Sequence, residues 1–373
     1  MSEQAEYMRR AIFLAKQAGG YAAPNPLVGA VIVKNGRIIG EGYHRRCGEL
    51  HAERNAFASL TESAQGAEMY VTLEPCCHYG RTPPCTEAII EHQIKKVYIG
   101  SGDPNPLVAG KGAKILREHG IEVQEGFLKE ECDGLNPVFF HYITKKTPYV
   151  VIKYAMTLDG KIAAFTGHSK WITGETARRH VQQLRSFYSA IMVGINTVTE
   201  DDPMLNCRIE GAHQPLRIVL DSALRIPLGS RICQSAKEFP TLIVCTEPDE
   251  ERLRALRQLG AEVYVCQEEE DGKVCLRALM QELYKRQIAS VLIEGGGSVH
   301  EAALKSGCAD HVYAYIAPKI LGGKDAKTPV EGQGVADVSQ GAKLINRRIT
   351  ELGEDILLEY DIERGFADVH RDR

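Results

Sequence analysis

No run of apolar residues in this chain approaches the roughly 18 that a helix needs to cross a bilayer, so no helical membrane span is expected. Positive charge is in short supply: 45 Lys and Arg against 49 Asp and Glu leave a formal net charge of -4. That balance gives no general attraction to nucleic acid or to an anionic membrane, and any phosphate must be met by local arginines. The N-terminus lacks the pattern of a signal peptide, since residues 11–15 form only a short apolar run with Glu3 and Glu6 ahead of it. Internal repeats and low-complexity segments are also missing. The eleven cysteines are odd in number and scattered, which argues against a disulfide framework and for reduced thiols in a cytoplasmic protein.

What is present is ordinary for a globular protein, with 25% charged and 44% hydrophobic residues. At 373 residues the chain exceeds one hydrophobic core and implies two or three domains. Helical spacing of apolar residues runs from Glu3 to Ala18, stopped by Gly19-Gly20. Strands are expected at 28–33 and 37–43, joined by an Asn35-Gly36 hairpin, and at 68–73, 96–101 and 121–124. Helices are expected at 51–60 and 84–92. Gly110-Lys111-Gly112 fails the phosphate-loop pattern on both sides and reads better as a turn into a helix. Between 125 and 146 the periodicity breaks up, and a new strand opens at Tyr149. The domain boundary is therefore placed between 146 and 147. Beyond it, strand-like runs alternate with helical ones, the mark of an α/β domain with a largely parallel sheet.

Two stretches carry chemistry in the first part: His51-Ala52-Glu53, and Pro75-Cys76-Cys77-His78-Tyr79-Gly80-Arg81-Thr82-Pro83-Pro84-Cys85. An imidazole and two thiols are three ligands of a zinc ion that keeps one position open for water. His51, Cys76 and Cys85 are the expected ligands. Glu53 sits too near His51 in sequence to complete the set, but within reach of that water as the general acid and base of a deamination. Eight residues separate the two cysteines, where two is the commoner deaminase spacing. The insert makes Cys77 and His78 competitors, and a structural site with four protein ligands is the alternative. A further set, His44, Cys47 and His51, is spaced for a metal but lacks a placed carboxylate.

These motifs, with Pro24-Asn25-Pro26-Leu27-Val28-Gly29 and Gly102-Asp103-Pro104-Asn105-Pro106, resemble the bifunctional riboflavin-biosynthesis deaminase/reductase family. In the second half, Thr157-Leu158-Asp159-Gly160-Lys161, Ser169-Lys170-Trp171-Ile172-Thr173, Asp201-Asp202-Pro203 and Ile293-Glu294-Gly295-Gly296-Gly297 are similar to its reductase domain. The resemblance covers nearly the whole chain. It implies a cytidine-deaminase-like α/β/α domain at 1–146 followed by a dihydrofolate-reductase-like α/β domain at 147–373. It further implies zinc-dependent removal of the 2-amino group of 2,5-diamino-6-(5-phosphoribosylamino)pyrimidin-4-one, then NADPH-dependent reduction of the ribose to a ribityl chain. The expected partner is a small phosphorylated pyrimidine, with no nucleic acid and no membrane, in a homo-oligomer.

The family pattern points to Asn25, His44 and Arg81 for the deaminase substrate, with Arg81 able to pair with its phosphate. Asn25 is otherwise a turn former between two prolines. For the reductase it points to NADPH contacts at Ala155, Trp171, Thr197, Asp201 and Ser222, and to substrate contacts at Ser169, Arg185, Leu205, Arg208 and Glu294. Arg185 and Arg208 would bracket a phosphate. Gly296, Gly297 and Ser298 open a helix after a strand, where backbone amides approach a pyrophosphate; alone, three adjacent glycines are a weak signal. Reduction needs a proton donor, and Lys153, Glu294 and Asp159 are the candidates. Two other readings stand beside this one: a nucleic-acid deaminase, disfavoured by the absence of a basic cluster around the zinc motifs, and a zinc-stabilised binding module.

Overall fold

The computed structural model describes residues 2–79 and 83–363 and divides the chain into two compact units, Met1–Lys146 and Thr147–Arg373. In the first unit the helices are α1 (Glu3–Lys16), α2 (Ala52–Ala58), α3 (Cys85–Glu91), α4 (Lys111–Glu118), α5 (Lys129–Asp133) and α6 (Pro137–Lys145). Its strands are β1 (Gly29–Lys34), β2 (Arg37–Tyr43), β3 (Glu68–Leu73), β4 (Lys96–Ser101) and β5 (Glu122–Gln124), ordered β2-β1-β3-β4-β5. The β1–β2 hairpin and β1–β3 pair antiparallel, and β3–β4–β5 run parallel. Ala30, Ile32, Met69, Val71, Val97 and Ile99 from one sheet face meet Ala56 and Ile89 from α2 and α3 in one apolar cluster. Close approach of helix to sheet is enforced at Gly42, where a Cβ would stand 2.4 Å from the Ala56 amide nitrogen. That contact sets the depth at which α2, and with it His51, is docked.

The two helices α5 and α6 occupy the segment whose periodicity looked broken. They are short, and α6 buries only Phe139 and Tyr142, too small a stripe to stand out in a sequence window. The Gly110-Lys111-Gly112 stretch does open a helix, and the anion attracted to its N-terminus is internal. Glu74 accepts from the Gly110 and Ala113 amides at 2.9 and 3.2 Å.

The second unit contains β6 (Tyr149–Thr157), α7 (Glu175–Phe187), β7 (Ala190–Gly194), α8 (Ile195–Asp201), β8 (Leu216–Leu220) and α9 (Arg231–Gln234). These are followed by β9 (Thr241–Cys245), α10 (Glu250–Gln258), β10 (Glu262–Val265), α11 (Leu276–Lys285), β11 (Ser290–Gly295), α12 (Gly297–Lys305), β12 (Ala309–Ala317), β13 (Leu344–Leu352) and β14 (Asp355–Ile362). The sheet order is β10-β9-β8-β7-β11-β6-β12-β14-β13, parallel from β10 to β12. Both of its faces are buried: Ala190 and Met192 of β7 join one apolar cluster, Ile191 and Val193 the other. A parallel strand covered on two sides reads as an unbroken apolar run, which is why these strands are plain in the sequence. The antiparallel β13 and β14 are not, because β13 exposes nearly every residue and so lacks alternation.

Candidate active sites

The first site forms where a loop and a strand each hand over to a helix. His51 is the N-cap of α2, Cys76 lies three residues beyond β3, and Cys85 opens α3. His51 Nδ1 is 3.4 Å from both Cys76 Sγ and Cys85 Sγ, and the three ligand atoms lie within 4.8 Å of one another. Bond lengths of about 2.3 Å for Zn–S and about 2.0 Å for Zn–N put sulfur and nitrogen about 3.5 Å apart across a tetrahedral edge, so the cluster fits zinc. The insert between the cysteines is tied back at its far end. Arg54 donates to the Pro83 and Pro84 carbonyls at 3.1 and 2.9 Å, and the Cys85 amide donates to Cys76 Sγ at 3.3 Å.

Electrostatics distinguish the two sulfurs. Hydrogen bonding from Cys85 and then from the His51 ring brings the Cys76 thiol down to about 4, and Cys85 is pushed up by sharing that same hydrogen bond. Glu53 is buried beside them, 3% exposed, and burial raises its carboxyl above the usual range, with the Cys76 charge adding to the effect.

Among the described residues the competitors fall outside the cluster. Cys77 Sγ turns to the Leu107 carbonyl at 3.7 Å, and Cys47 belongs to no metal-ligand group. His78 is not in the cluster either; its Nδ1 is buried without a partner. Cys76→Ser is therefore expected to lose bound zinc and Cys77→Ser to keep one zinc per chain, measured by elemental analysis of the purified proteins. Equal zinc loss in both would contradict this ligand set.

Asn25 and His44 come together at this site. His44 Nδ1 faces the Leu50 carbonyl at 3.1 Å, which makes that nitrogen the donor, and Asn25 Nδ2 then donates to His44 Nε2 at 3.0 Å. Burial lowers the His44 pKa, in keeping with this neutral form. Its ring meets His51 edge-on at 5.5 Å. Arg81 lies outside the described residues. Asp103, named at first only as part of a motif, is pushed up to about 6 by burial, with Glu74 and Cys76 nearby. A carboxylate in a Pro-flanked turn gave no sign of that burial in the sequence.

The second site is a cavity of about 670 Å³ at the carboxyl ends of β6, β7, β8 and β11, the usual ligand position of an open α/β sheet. Ala155, Trp171, Thr197, Asp201, Ser222, Gly296, Gly297 and Ser298 line it, as do Ser169, Arg185, Arg208, Glu294 and Lys153. The glycine turn is a cradle that side chains would fill. Gly296 has φ +91, and a Cβ on Gly297 would meet Glu331 at 2.6 Å. Extended contact with a dinucleotide phosphate fits such a backbone.

Leu205 is a correction: it is absent from the cavity wall, because its side chain is 3% exposed in the core with Ile191 and Val193. Arg185 also differs from expectation. Its Nε and Nη2 each donate to Glu294 at 2.8 Å and Nη1 donates to the Asn206 carbonyl, so its fork is committed to a carboxylate of the protein. Of the two arginines expected to bracket a phosphate, Arg208 is the exposed one. Trp171 is braced by the Arg178 guanidinium 4.7 Å from its ring centre and by Lys319, which donates to the Trp171 and Ile172 carbonyls. Arg178 and Lys319 escaped the sequence reading, since a half-buried cation on a helix and an exposed one in a loop carry no motif.

The three proton-donor candidates separate clearly. Burial lowers the Lys153 pKa, with Glu294 opposing and Arg185 adding to the effect. For Glu294 burial pulls upward, but the charge and hydrogen bonds of Arg185 outweigh it and hold the carboxyl below its ordinary value. Asp159 is held at about 2 by Thr157 and the Gly322 amide, and serves as a turn cap.

A family model described as the RibD C-terminal domain matches residues 148–358, and one described as the cytidine and deoxycytidylate deaminase zinc-binding region matches residues 1–101. The chain is 57% identical over 355 residues to the riboflavin biosynthesis protein RibD of Actinobacillus pleuropneumoniae, covering 95% of this chain and 94% of that one. A solved structure of Acinetobacter baumannii RibD matches with a TM-score of 0.85 at 40% identity, covering 97% of this chain and 99% of that one. A diaminohydroxyphosphoribosylaminopyrimidine deaminase/5-amino-6-(5-phosphoribosylamino)uracil reductase from Thermotoga maritima matches at 0.84 and 39% identity, with the same coverage.

Proposed function

The chain belongs to the bifunctional riboflavin-biosynthesis deaminase/reductase family, and we propose that its two activities divide between its two units. Residues 1–146 deaminate 2,5-diamino-6-(5-phosphoribosylamino)pyrimidin-4-one, and residues 147–373 reduce the ribose of 5-amino-6-(5-phosphoribosylamino)uracil. The observation that carries the reading is that each unit holds a complete set of reacting groups of its own: a three-ligand metal cluster beside a buried carboxylate, and a glycine-cradled cavity containing Lys153.

Zinc would be held by His51, Cys76 and Cys85 and would supply Lewis-acid activation of water. Glu53 takes the proton of the attacking water, returns it to the pyrimidine ring nitrogen, and carries a second proton to the amine that departs as ammonia. Asn25, oriented by His44, presents its amide to the pyrimidine edge, and Arg81 meets the phosphate.

NADPH would be held along Gly296, Gly297 and Ser298 and by Ala155, Trp171, Thr197, Asp201 and Ser222, and would supply hydride for reduction of the ribose. As the ring opens, Lys153 Nζ delivers a proton to the departing ring oxygen, so one hydride and one proton are consumed in all. Glu294, kept ionised by Arg185, accepts from sugar hydroxyls with Ser169, and Arg208 faces the phosphate.

The test is to incubate the purified chain with the diaminopyrimidine phosphate, with and without NADPH, and identify products. Ammonia and the uracil without NADPH, and the ribityl compound with it, are expected; an RNA stem-loop that releases ammonia when the pyrimidine does not would favour a nucleic-acid deaminase. A homo-oligomer in the cytoplasm is the accompanying proposal. It is supported by β13, a nine-residue edge strand of the sheet with Ile349 56% exposed, and sedimentation analysis measures the state.

A further inference from the structure

Helix α7 reaches the face of the sheet that carries Lys153 with two polar grips. Arg185 takes Glu294, on the neighbouring strand β11. His180, just over one turn earlier, takes Tyr315 on β12, the strand on the other side of β6: its Nδ1 lies 2.7 Å from the Tyr315 hydroxyl. In the parallel register Tyr313 stands opposite Lys153 and Tyr315 opposite Ala155, so these tyrosines and the lysine share one face. Tyr315 is fully buried, and its ring centre is 5.8 Å from Lys153 Nζ. That distance is within the range of a cation–π contact. Among the described residues no hydrogen bond ties Lys153 Nζ in place, so its hold comes from the charge of Glu294 and the face of this ring.

We propose that Tyr315, oriented by His180, is a positioning residue for the reduction: its ring face holds the Lys153 ammonium in place and charged until the substrate takes the proton. The inference rests on the reading of Lys153 as the proton donor. The charges around the lysine are Glu294 from β11, Arg185 from α7 and His300 from α12, and Tyr315 itself faces Tyr313, Glu294 and Glu359 of β14. None of these supplies an aromatic face to the ammonium in the way Tyr315 does. A tyrosine present only to fill the core would need the His180 hydrogen bond for its hydroxyl, but would leave the titration of Lys153 unchanged.

The test is the pH dependence of reductase kcat in the full-length holoenzyme, with the uracil substrate supplied and NADPH oxidation followed. A charged donor gives activity that falls as pH rises through its pKa. Removing a ring that favours the charged form moves that alkaline limb to lower pH. Tyr315→Leu is expected to shift it down by about 0.5 to 1 unit, from the ordinary strength of such contacts. Tyr315→Phe, which keeps the ring, should leave it within about 0.3 unit of the parent. Identical limbs in all three proteins, or equal shifts in both variants, would overturn the proposal. Should Tyr315→Leu not fold, Tyr315→Met is read instead, which fills more of the ring's volume without supplying its face; the same downward shift is expected, and an unmoved limb is again the negative result. Lys153→Met separates the two ideas. Full reduction by that variant ends the donor reading, whereas an inactive Lys153→Met with an unmoved limb in Tyr315→Leu ends this inference alone.

Discussion

Glu53→Gln lowers the kcat of deamination by about 10²- to 10⁴-fold and leaves NADPH-dependent reduction of supplied 5-amino-6-(5-phosphoribosylamino)uracil at the parental rate. The size follows from the role: a positioned carboxylate that takes and returns protons contributes that much, and glutamine keeps its volume while losing the function. Glu53 is on α2, two residues past the ligand His51, and touches the cluster without belonging to it. Zinc content should therefore stay at one per chain in the variant, which distinguishes loss of proton transfer from loss of metal. Reduction is spared because Lys153, Glu294 and the glycine turn all belong to the other compact unit. Ammonia release and NADPH oxidation, measured on the same preparation, check both halves. If a folded, zinc-loaded variant lost both activities, the assignment of one activity to each unit would fail.

The legibility of these sites in the sequence depended on the kind of constraint behind each. The strands 37–43, 68–73 and 96–101 stand at the expected residues, because β-rich runs bounded by turn residues leave little choice of ends. His51, Cys76 and Cys85 converge as their chemistry required, since three soft ligands and a carboxylate have few other uses together. Contacts made across the fold were harder to read. The Asn25–His44 hydrogen bond spans 19 residues and depends on which nitrogen His44 gives to Leu50, a choice with no sequence signal. The commitment of Arg185 to Glu294, 109 residues away, could not be seen in a helix that otherwise reads as a solvated face. Leu205 was assigned by family pattern, which marks a position and does not tell side chain from main chain. The edge strand β13 escaped because an exposed strand has no inward face to impose alternation.

The assignment of the proton donor is the point at which structure most changes the sequence reading, and it leads to a large effect. Lys153→Met is expected to cut reductase kcat by about 10²- to 10⁴-fold while leaving NADPH affinity, followed by its fluorescence, within about twofold. Deamination should be untouched. The three candidates predict different pH behaviour. A carboxyl donor must be protonated, and Glu294, drawn below its ordinary value by Arg185 against the opposing pull of burial, is ionised throughout the neutral range. Asp159, held at about 2, is ionised as well. Reduction through either would decline above acidic pH. Lys153 has the opposite assignment: it must be charged to donate, and burial lowers it from its ordinary value, with Glu294 opposing. The parental enzyme should thus lose its reductase kcat as pH rises, on a limb that lies below the usual lysine value. Glu294→Gln keeps the shape of the carboxylate but removes a charge that favours the ammonium, so that limb should move further down. A limb that vanished in Glu294→Gln while Lys153→Met stayed active would transfer the donor role to the glutamate.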